Sequence, residues 1–505
     1  MKVTKITPIK ELKKRLLEIS HLASINGLLG WDQETNLPPK ASDYRAASIS
    51  ELSAIIHSKL LGLDTDGLLS KLKKETDGGN IKGKDAVIVN ETWRQYDRER
   101  KLPEAFVREM AEIGSKAQIT WAQARKNNDF KLFLPWLTKI VNLKRKEAVY
   151  VGYKESPYDA LIDQYEAGMT TAEASKILND LKLFLVPFLK RIKESGQKIP
   201  TKAFNGKFPI DKQIDFNKKL LEKIGFDFQA GRIDVSTHPF ATGLHPHDVR
   251  ITSRYSTTDI FYSISSTIHE AGHALYEQGL PVEHFGTPLA ESVSLGIHES
   301  QSRLWENMVG KSLPFWKHFY PLLKKEFPQP FSKIAIEDFY KTLNNVRPSF
   351  IRTESDEVTY NLHIILRFEI EKGMMEGTID LKDLPKIWNL KMKEYFGIEP
   401  ATDSQGVLQD VHWSFGGIGY FPTYTFGNLY SAQFYHAMEK DIPDISKKIE
   451  KGQFTEVREW LRKNIHATGK THTAKNLAKK VTGEELNSKY FTEYLEEKYT
   501  EIYKL

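Results

Sequence analysis

Two histidines four residues apart, with a glutamate directly after the first, stand in the stretch TIHEAGHALYEQG, residues 267–279. Positions four apart share one face of a helix, so the imidazoles of His269 and His273 can reach a single ion. Glu270 points about 100° around the axis and can reach a water beside that ion without being a ligand. This is the H-E-x-x-H arrangement of zinc peptidases, in which the ion lowers the pKa of water and the glutamate takes its proton. The plainer reading is two polar residues sharing a helix face beside a solvated glutamate. A third ligand favours the metal reading, and with no cysteine in the chain any ligand must be His, Asp or Glu.

Two elements must position such a site. The first is a helix from about Asp259 to Gln278, capped by Thr257 or Thr258 and stopped by Gly279 and Pro281. The second starts at Thr287-Pro288, a cap followed by proline at the first helical position, and ends near Gly310. Adjacent helices joined by a short turn run antiparallel, so Glu299, midway along the second, completes a His₂Glu set with one position open to water. His298 competes for this place, but adjacent helix positions cannot both face one ion. Glu299 shares its face with Ser292, Leu295, Ser302 and Glu306, a mixed polar stripe that suits a ligand. Seven of the 15 histidines fall between His238 and His298, denser than scattered surface residues would be.

Around these elements the chain reads as mainly α. Apolar residues recur at three- and four-residue spacing, as in Leu12, Leu16, Ile19 and Leu22, or Ile177, Leu181, Phe184 and Leu185. Thr170 with Glu173, and Thr482 with Glu485, have the capping-box pattern of helix starts. Residues 74–85 and 194–212, rich in Gly, Pro and Lys, read as loops. RIDVS and DVRIT, within residues 231–255, alternate in strand fashion and predict a small antiparallel sheet ahead of the HEAGH helix. A glycine- and aromatic-rich stretch, residues 406–430, has the composition of a functional loop. We read 1–505 as one domain: an N-terminal helical part (1–212), a catalytic part with the sheet and the metal-binding helices (213–430), and C-terminal helices (431–505).

Composition removes several function classes. Hydrophobic residues at 40%, charged residues at 27% and a mean hydropathy of −0.46 fit a globular, non-membrane chain. A net charge of +6 over 72 basic and 66 acidic residues lacks the concentrated basic stripe of nucleic-acid binders. The lysine-rich N-terminus has no apolar run with a cleavage site, which points to the cytoplasm. Absence of cysteine beside many Lys and Glu also fits a heat-adapted protein.

With these residues assembled, the chain resembles the carboxypeptidase Taq family of thermostable metallocarboxypeptidases. The likeness runs nearly end to end. It covers LLGWDQETNLPP from Leu28, YDALIDQYEAGMT from Tyr158, HPF at His238, DVRIT at Asp248, HEAGH, HESQ at His298, IRTESD at Ile351 and GVLQDVHW at Gly406. The resemblance implies a single helical body with a deep groove, similar to neurolysin and angiotensin-converting enzyme, and a homodimer. It implies release of single residues from peptide C-termini with broad tolerance, poor release of proline, and one divalent ion per chain, zinc or cobalt.

Motif by motif, it implies His269, His273 and Glu299 as metal ligands and Glu270 as general base. Arg352 and Arg250 become candidates for the substrate carboxylate, with Arg352 ranked first. Tyr420, His412 and Tyr424 become donors to the oxyanion, Tyr420 foremost. Asp248 and His238 join the substrate-binding set, His238 beside a sheet edge that can pair with an extended peptide. Two positions depart from the pattern. Ser355 stands where the family usually has alanine, and Arg303 stands where many related zinc peptidases carry an acid that supports a ligating histidine. Glu306 is the candidate for that support. Two alternatives stay open: a zinc endopeptidase or dipeptidase with the same ligands, and a non-catalytic helical scaffold that binds peptides.

Overall fold

The three- to four-residue apolar spacing becomes helix almost throughout the structure, a computed structural model that describes residues 7–200 and 206–505. Helices Pro8–Thr35, Ser42–Leu61, Leu68–Asp77 and Gly83–Arg100 open the chain. A small apolar cluster that includes Leu12, Leu16, Leu63, Leu72 and Val89 joins them. A much larger core runs from Ala117 to Tyr503 and takes in Leu181 and Leu185, with Ile177 and Phe184 packed against it. The expected mainly α architecture is therefore present. No helix among the described residues is long and apolar enough to cross a membrane.

The capping box at Thr170 is formed, with Glu173 N–H donating to Thr170 Oγ1 and Thr170 N–H to Glu173 Oε2, both at 3.2 Å. Thr482 does not start a helix. It ends the helix Ala474–Thr482, because Gly483 at φ +89° supplies a left-handed stop that overrides the start pattern. Of the loop expected over residues 74–85, only 78–82 lies between helices, since Lys74–Asp77 complete a helical turn. The helix Thr171–Glu194 ends where the second expected loop begins, and residues 201–205 of that loop lie outside the described residues.

The sheet departs from expectation in direction. Strands β1 (Gly231–Val235), β2 (Ala241–His245) and β3 (Asp248–Ser253) lie in the order β1-β3-β2. β2 and β3 form an antiparallel hairpin through Pro246 and His247, whereas β1 runs parallel to β3 with Arg232 opposite Arg250. The sheet is mixed because the segment ATGLH forms a strand of its own, so RIDVS and DVRIT have the same direction. Val249 and Ile251 of β3 are fully buried and anchor the sheet in the core.

The HEAGH helix spans Ile260–Glu277, and its cap is Asp259, whose Oδ1 accepts from Phe261 and Tyr262 N–H at 2.9 and 3.2 Å. Thr287-Pro288 opens only a single turn, Pro288–Ala290. The backbone is then extended at Glu291, and the helix carrying Glu299 starts at Leu295 with Ser294 as its cap. It runs to Arg303 and continues as a π-helical segment, Leu304–Val309, up to Gly310.

Two glycines let three helices meet at backbone distance. A Cβ on Gly272 would lie 2.5 Å from Gln301 O and Ser302 Cα. A Cβ on Gly427, in the helix Pro422–Asp441, would lie 2.4 Å from Glu299 Cγ. The helix of Glu299 is thus gripped from both sides. Gly427→Ala is expected to displace the Glu299 side chain, cost about 1–3 kcal/mol of stability through overpacking, and weaken metal binding. Thermal unfolding and chelator competition check this, and unchanged values in both would show that the contact yields.

Candidate metal centre and peptide cavity

His269, His273 and Glu299 offer ligand atoms that all lie within 4.8 Å of one another, the one such cluster of His, Asp and Glu among the described residues. Glu299 Oε2 is 3.7 Å from His269 Nε2 and 3.4 Å from His273 Nε2. In each histidine the other ring nitrogen is held from behind. His269 Nδ1 lies 2.8 Å from Glu306 Oε2, and His273 Nδ1 lies 2.6 Å from His298 Nδ1. Both Nε2 atoms therefore face the Glu299 carboxylate, and this nitrogen–oxygen donor set fits a first-row divalent ion.

Charge around the cluster is arranged by Arg303. Its Nε donates to Glu299 Oε1 at 2.7 Å, its Nη1 donates to Glu306 Oε2 at 3.1 Å, and its guanidinium lies over the Tyr360 ring. Burial opposes ionisation of Glu299, but Arg303 and His269 outweigh it and hold the carboxyl well below the usual range. The position where related peptidases carry a supporting acid thus holds a cation that orients two acids. The support falls to Glu306, which also accepts from Ser265 Oγ at 2.9 Å. Glu306 lies in the π-helical segment, a feature that often re-aims side chains at functional sites. Burial, with His298 beside it, lowers His273 to about 3 and keeps the ring neutral. Glu270 is buried, and desolvation pushes its carboxyl up to about 7.

A cavity of about 320 Å³ borders this cluster, and His269, Glu299, Arg303, Arg352, Tyr360 and Tyr424 are among the residues lining it. Arg352 is buried and oriented by Asp410, whose Oδ1 accepts from Nε and Nη2 at 3.1 and 2.9 Å. Its Nη1 donates to the Tyr360 hydroxyl at 3.1 Å, and its guanidinium lies 5.0 Å from the Tyr424 ring centre. Asp410 also pairs with the fully buried Arg367, accepting from its Nε at 2.7 Å. Ser355, which also lines the cavity, donates to Ile351 O at 3.0 Å, so the replaced alanine position carries only a local bond.

The stretch expected as a loop over residues 406–430 is helical from Pro422 onward, so Tyr424 sits in the first turn of the helix Pro422–Asp441, and His412 and Tyr420 meet it from the glycine-rich segment before that helix. Tyr420 packs edge-on against Tyr424 with ring centres 5.3 Å apart, and His412 Nε2 is 3.4 Å from the Tyr424 hydroxyl. Burial raises both tyrosines, keeping the phenols as donors, and lowers His412 to about 4. Glu371 pins the loop by accepting from Trp413 Nε1 at 2.9 Å and Gly419 N–H at 3.0 Å.

The remaining candidates lie elsewhere. Arg250 makes a two-pronged pair with Asp248 on its own strand, at 2.9 and 3.0 Å, and stacks over Trp31. Strand alternation explains this, because Arg250 points opposite to the buried Val249 and Ile251. Neither Arg250 nor Asp248 lines the cavity. His238 is exposed, although its neighbour Pro239 lines the cavity wall. Sequence reasoning missed Glu277, His298 as a partner, Asp410, Arg367 and Tyr360. Glu277 carried a signal, since it lies four residues past His273 on the same face.

A mainly helical chain with two histidines and a glutamate converging beside a buried arginine defines a protein of the metallopeptidase class. Comparison with known proteins is more specific. The model of the carboxypeptidase Taq (M32) metallopeptidase family matches residues 11–499. Carboxypeptidase 1 of Bacillus subtilis is 39% identical over 496 residues, covering 98% of this chain and 99% of that protein. Thermostable carboxypeptidase 1 of Pyrococcus furiosus is 43% identical over 489 residues, 96% of each chain. A solved structure of Pyrococcus furiosus carboxypeptidase superposes with a TM-score of 0.94 at 41% identity, covering 99% of this chain and all of that one. The chain belongs to the carboxypeptidase Taq family and is a metallocarboxypeptidase, a hydrolase of peptides.

Proposed function

We propose that this enzyme removes single residues from the C-termini of peptides with broad side-chain tolerance, releasing proline poorly, and that His269, His273 and Glu299 hold one zinc or cobalt ion. The observation that carries this reading is the shared cavity, where Arg352 opens onto the same space as His269 and Glu299. A planar guanidinium suits a terminal carboxylate, and Asp410 holds it in a single orientation. We favour Arg352 over Arg250, which lies on the sheet and does not line the cavity.

When bound, the ion supplies Lewis acidity that lowers the pKa of water and polarises the scissile carbonyl. Glu270 takes the proton from the attacking water and passes it to the leaving amine, a double task that suits a buried carboxyl with a pKa of about 7. Tyr420, with His412 and Tyr424 beside it, donates to the oxyanion of the tetrahedral intermediate. His238 and Asp248, near the sheet, serve the peptide backbone further from the scissile bond. We further propose that residues 1–505 act as one catalytic body, as a homodimer in the cytoplasm.

The test compares a peptide bearing a free C-terminus with the same peptide amidated. The free peptide is expected to lose residues one at a time from its C-terminus and the amide to resist. Equal cleavage of both would assign the chain to the endopeptidase alternative. The scaffold alternative is disfavoured by Glu270, a buried carboxyl directly after His269 in the chain that binding alone would not need.

A further inference from the structure

The two histidines are held from behind by different devices. His269 meets a carboxylate directly, through Glu306. His273 meets a second imidazole, and that imidazole in turn meets a carboxylate: His298 Nε2 lies 2.7 Å from Glu277 Oε1. The His298 ring stacks on His273 with centres 4.5 Å apart, and Tyr276 packs on it at 5.4 Å. His273, Tyr276 and Glu277 come from the HEAGH helix and His298 is the residue just before Glu299, so each element that supplies a ligand also supplies part of this second support.

With His273 Nε2 kept free for the ion and both rings neutral, one hydrogen placement serves the whole chain of contacts. Glu277 accepts, so His298 Nε2 carries the proton and donates it. His298 Nδ1 is then a bare acceptor, and His273 Nδ1–H donates to it. His273 Nε2 is left with a free lone pair facing Glu299 and the ion position. We propose that Glu277 and His298 form a positioning dyad that fixes the tautomer and ring angle of His273, and so governs how tightly the site holds its metal. The proposal rests on the reading of His273 as a ligand.

Glu277 reaches a cavity of about 320 Å³ that shares no lining residue with the peptide cavity. Neither Glu277 nor His298 lines the cavity that holds Arg352, so substitutions in the dyad are directed at the metal site and leave that cavity's wall in place. Outer partners of ligating histidines typically change metal affinity by about 10–100-fold when removed. A neutral acceptor is needed at the place of His298 Nδ1, and Asn Oδ1 occupies nearly the same point of the side chain.

The experiment measures the affinity of full-length protein for Zn²⁺ and Co²⁺ by competition with a chelator, together with the Co²⁺ d–d absorption spectrum. His298→Leu is expected to weaken both ions about 10–100-fold and change the spectrum, while KM for peptide and the Tm of the metal-free protein stay close to wild type. His298→Asn is expected to recover most of the affinity, a rescue that a merely packing role would not produce. His298→Leu with wild-type affinity and spectrum would overturn the dyad. If that variant does not fold, Glu277→Leu serves instead, and wild-type affinity there would overturn the dyad equally. His273→Ala separates the two levels: if it keeps the metal, the ligand assignment itself fails, and if it loses the metal while His298→Leu does not, only the dyad fails.

Discussion

Glu270→Gln is expected to keep its metal and lose about 10²–10⁴-fold in kcat. Glutamine matches the volume and most contacts of the buried glutamate but accepts no proton, so the attacking water keeps its own. The three clustered ligand atoms belong to other residues, so metal content should match wild type. Proton transfer belongs to the chemical step and not to peptide binding, so the effect should fall on kcat. A carboxyl raised to about 7 can both take and return a proton near neutrality, and neither neighbour on the helix can replace it. Steady-state kinetics alongside metal analysis decides the matter, and a variant with normal turnover would remove Glu270 from its role.

Asp410→Asn is expected to destabilise the protein by about 3–5 kcal/mol, measured by denaturant unfolding, and to raise KM for peptides with a free C-terminus. One carboxylate compensates two arginines here. Without its charge, the fully buried Arg367 has no anion beside it, and its other partners are the carbonyl of His363 and the faces of Trp388 and Phe421. Asparagine keeps one acceptor oxygen and puts an NH₂ group in place of the other, so the bonds to one of the two arginines are lost, and Arg352 is aimed into the cavity by neutral contacts only. Burial opposes the Asp410 charge, but Arg367 and Arg352 hold the carboxyl well below the usual range. Stability from a depressed carboxyl is complete above its unfolded pKa near 4 and is lost as pH falls through the folded value. Wild type should therefore lose part of its advantage in strong acid, whereas the asparagine variant has none to lose. Equal stability of the two proteins at neutral pH would mean that the arginines find other partners.

The metal-type residues were legible because helix geometry is local: four-residue spacing fixes a shared face, and the next helix must return alongside. The overall class was legible for the same reason, since apolar periodicity survives any tertiary arrangement. What failed to read was set at a distance. The direction of β1 depends on whether ATGLH makes a strand, and the start of the Glu299 helix depends on extended backbone after a turn that carries ordinary helix-start residues. Arg250 and Arg352 are alike as letters. They differ because one finds Asp248 two residues away and the other finds Asp410 across the fold. In the sequence His298 reads only as a rival ligand, because its contact with His273 exists once two helices are packed.

Gly272 and Gly427 hold the ligand helix by main chain and by the stem of Glu299 itself, with no intervening side chain whose size could vary. Drift in the surrounding core is therefore filtered before it reaches the centre. A change of side-chain volume elsewhere in the core reaches the two histidines and the glutamate only by moving backbone, the stiffest part of the assembly.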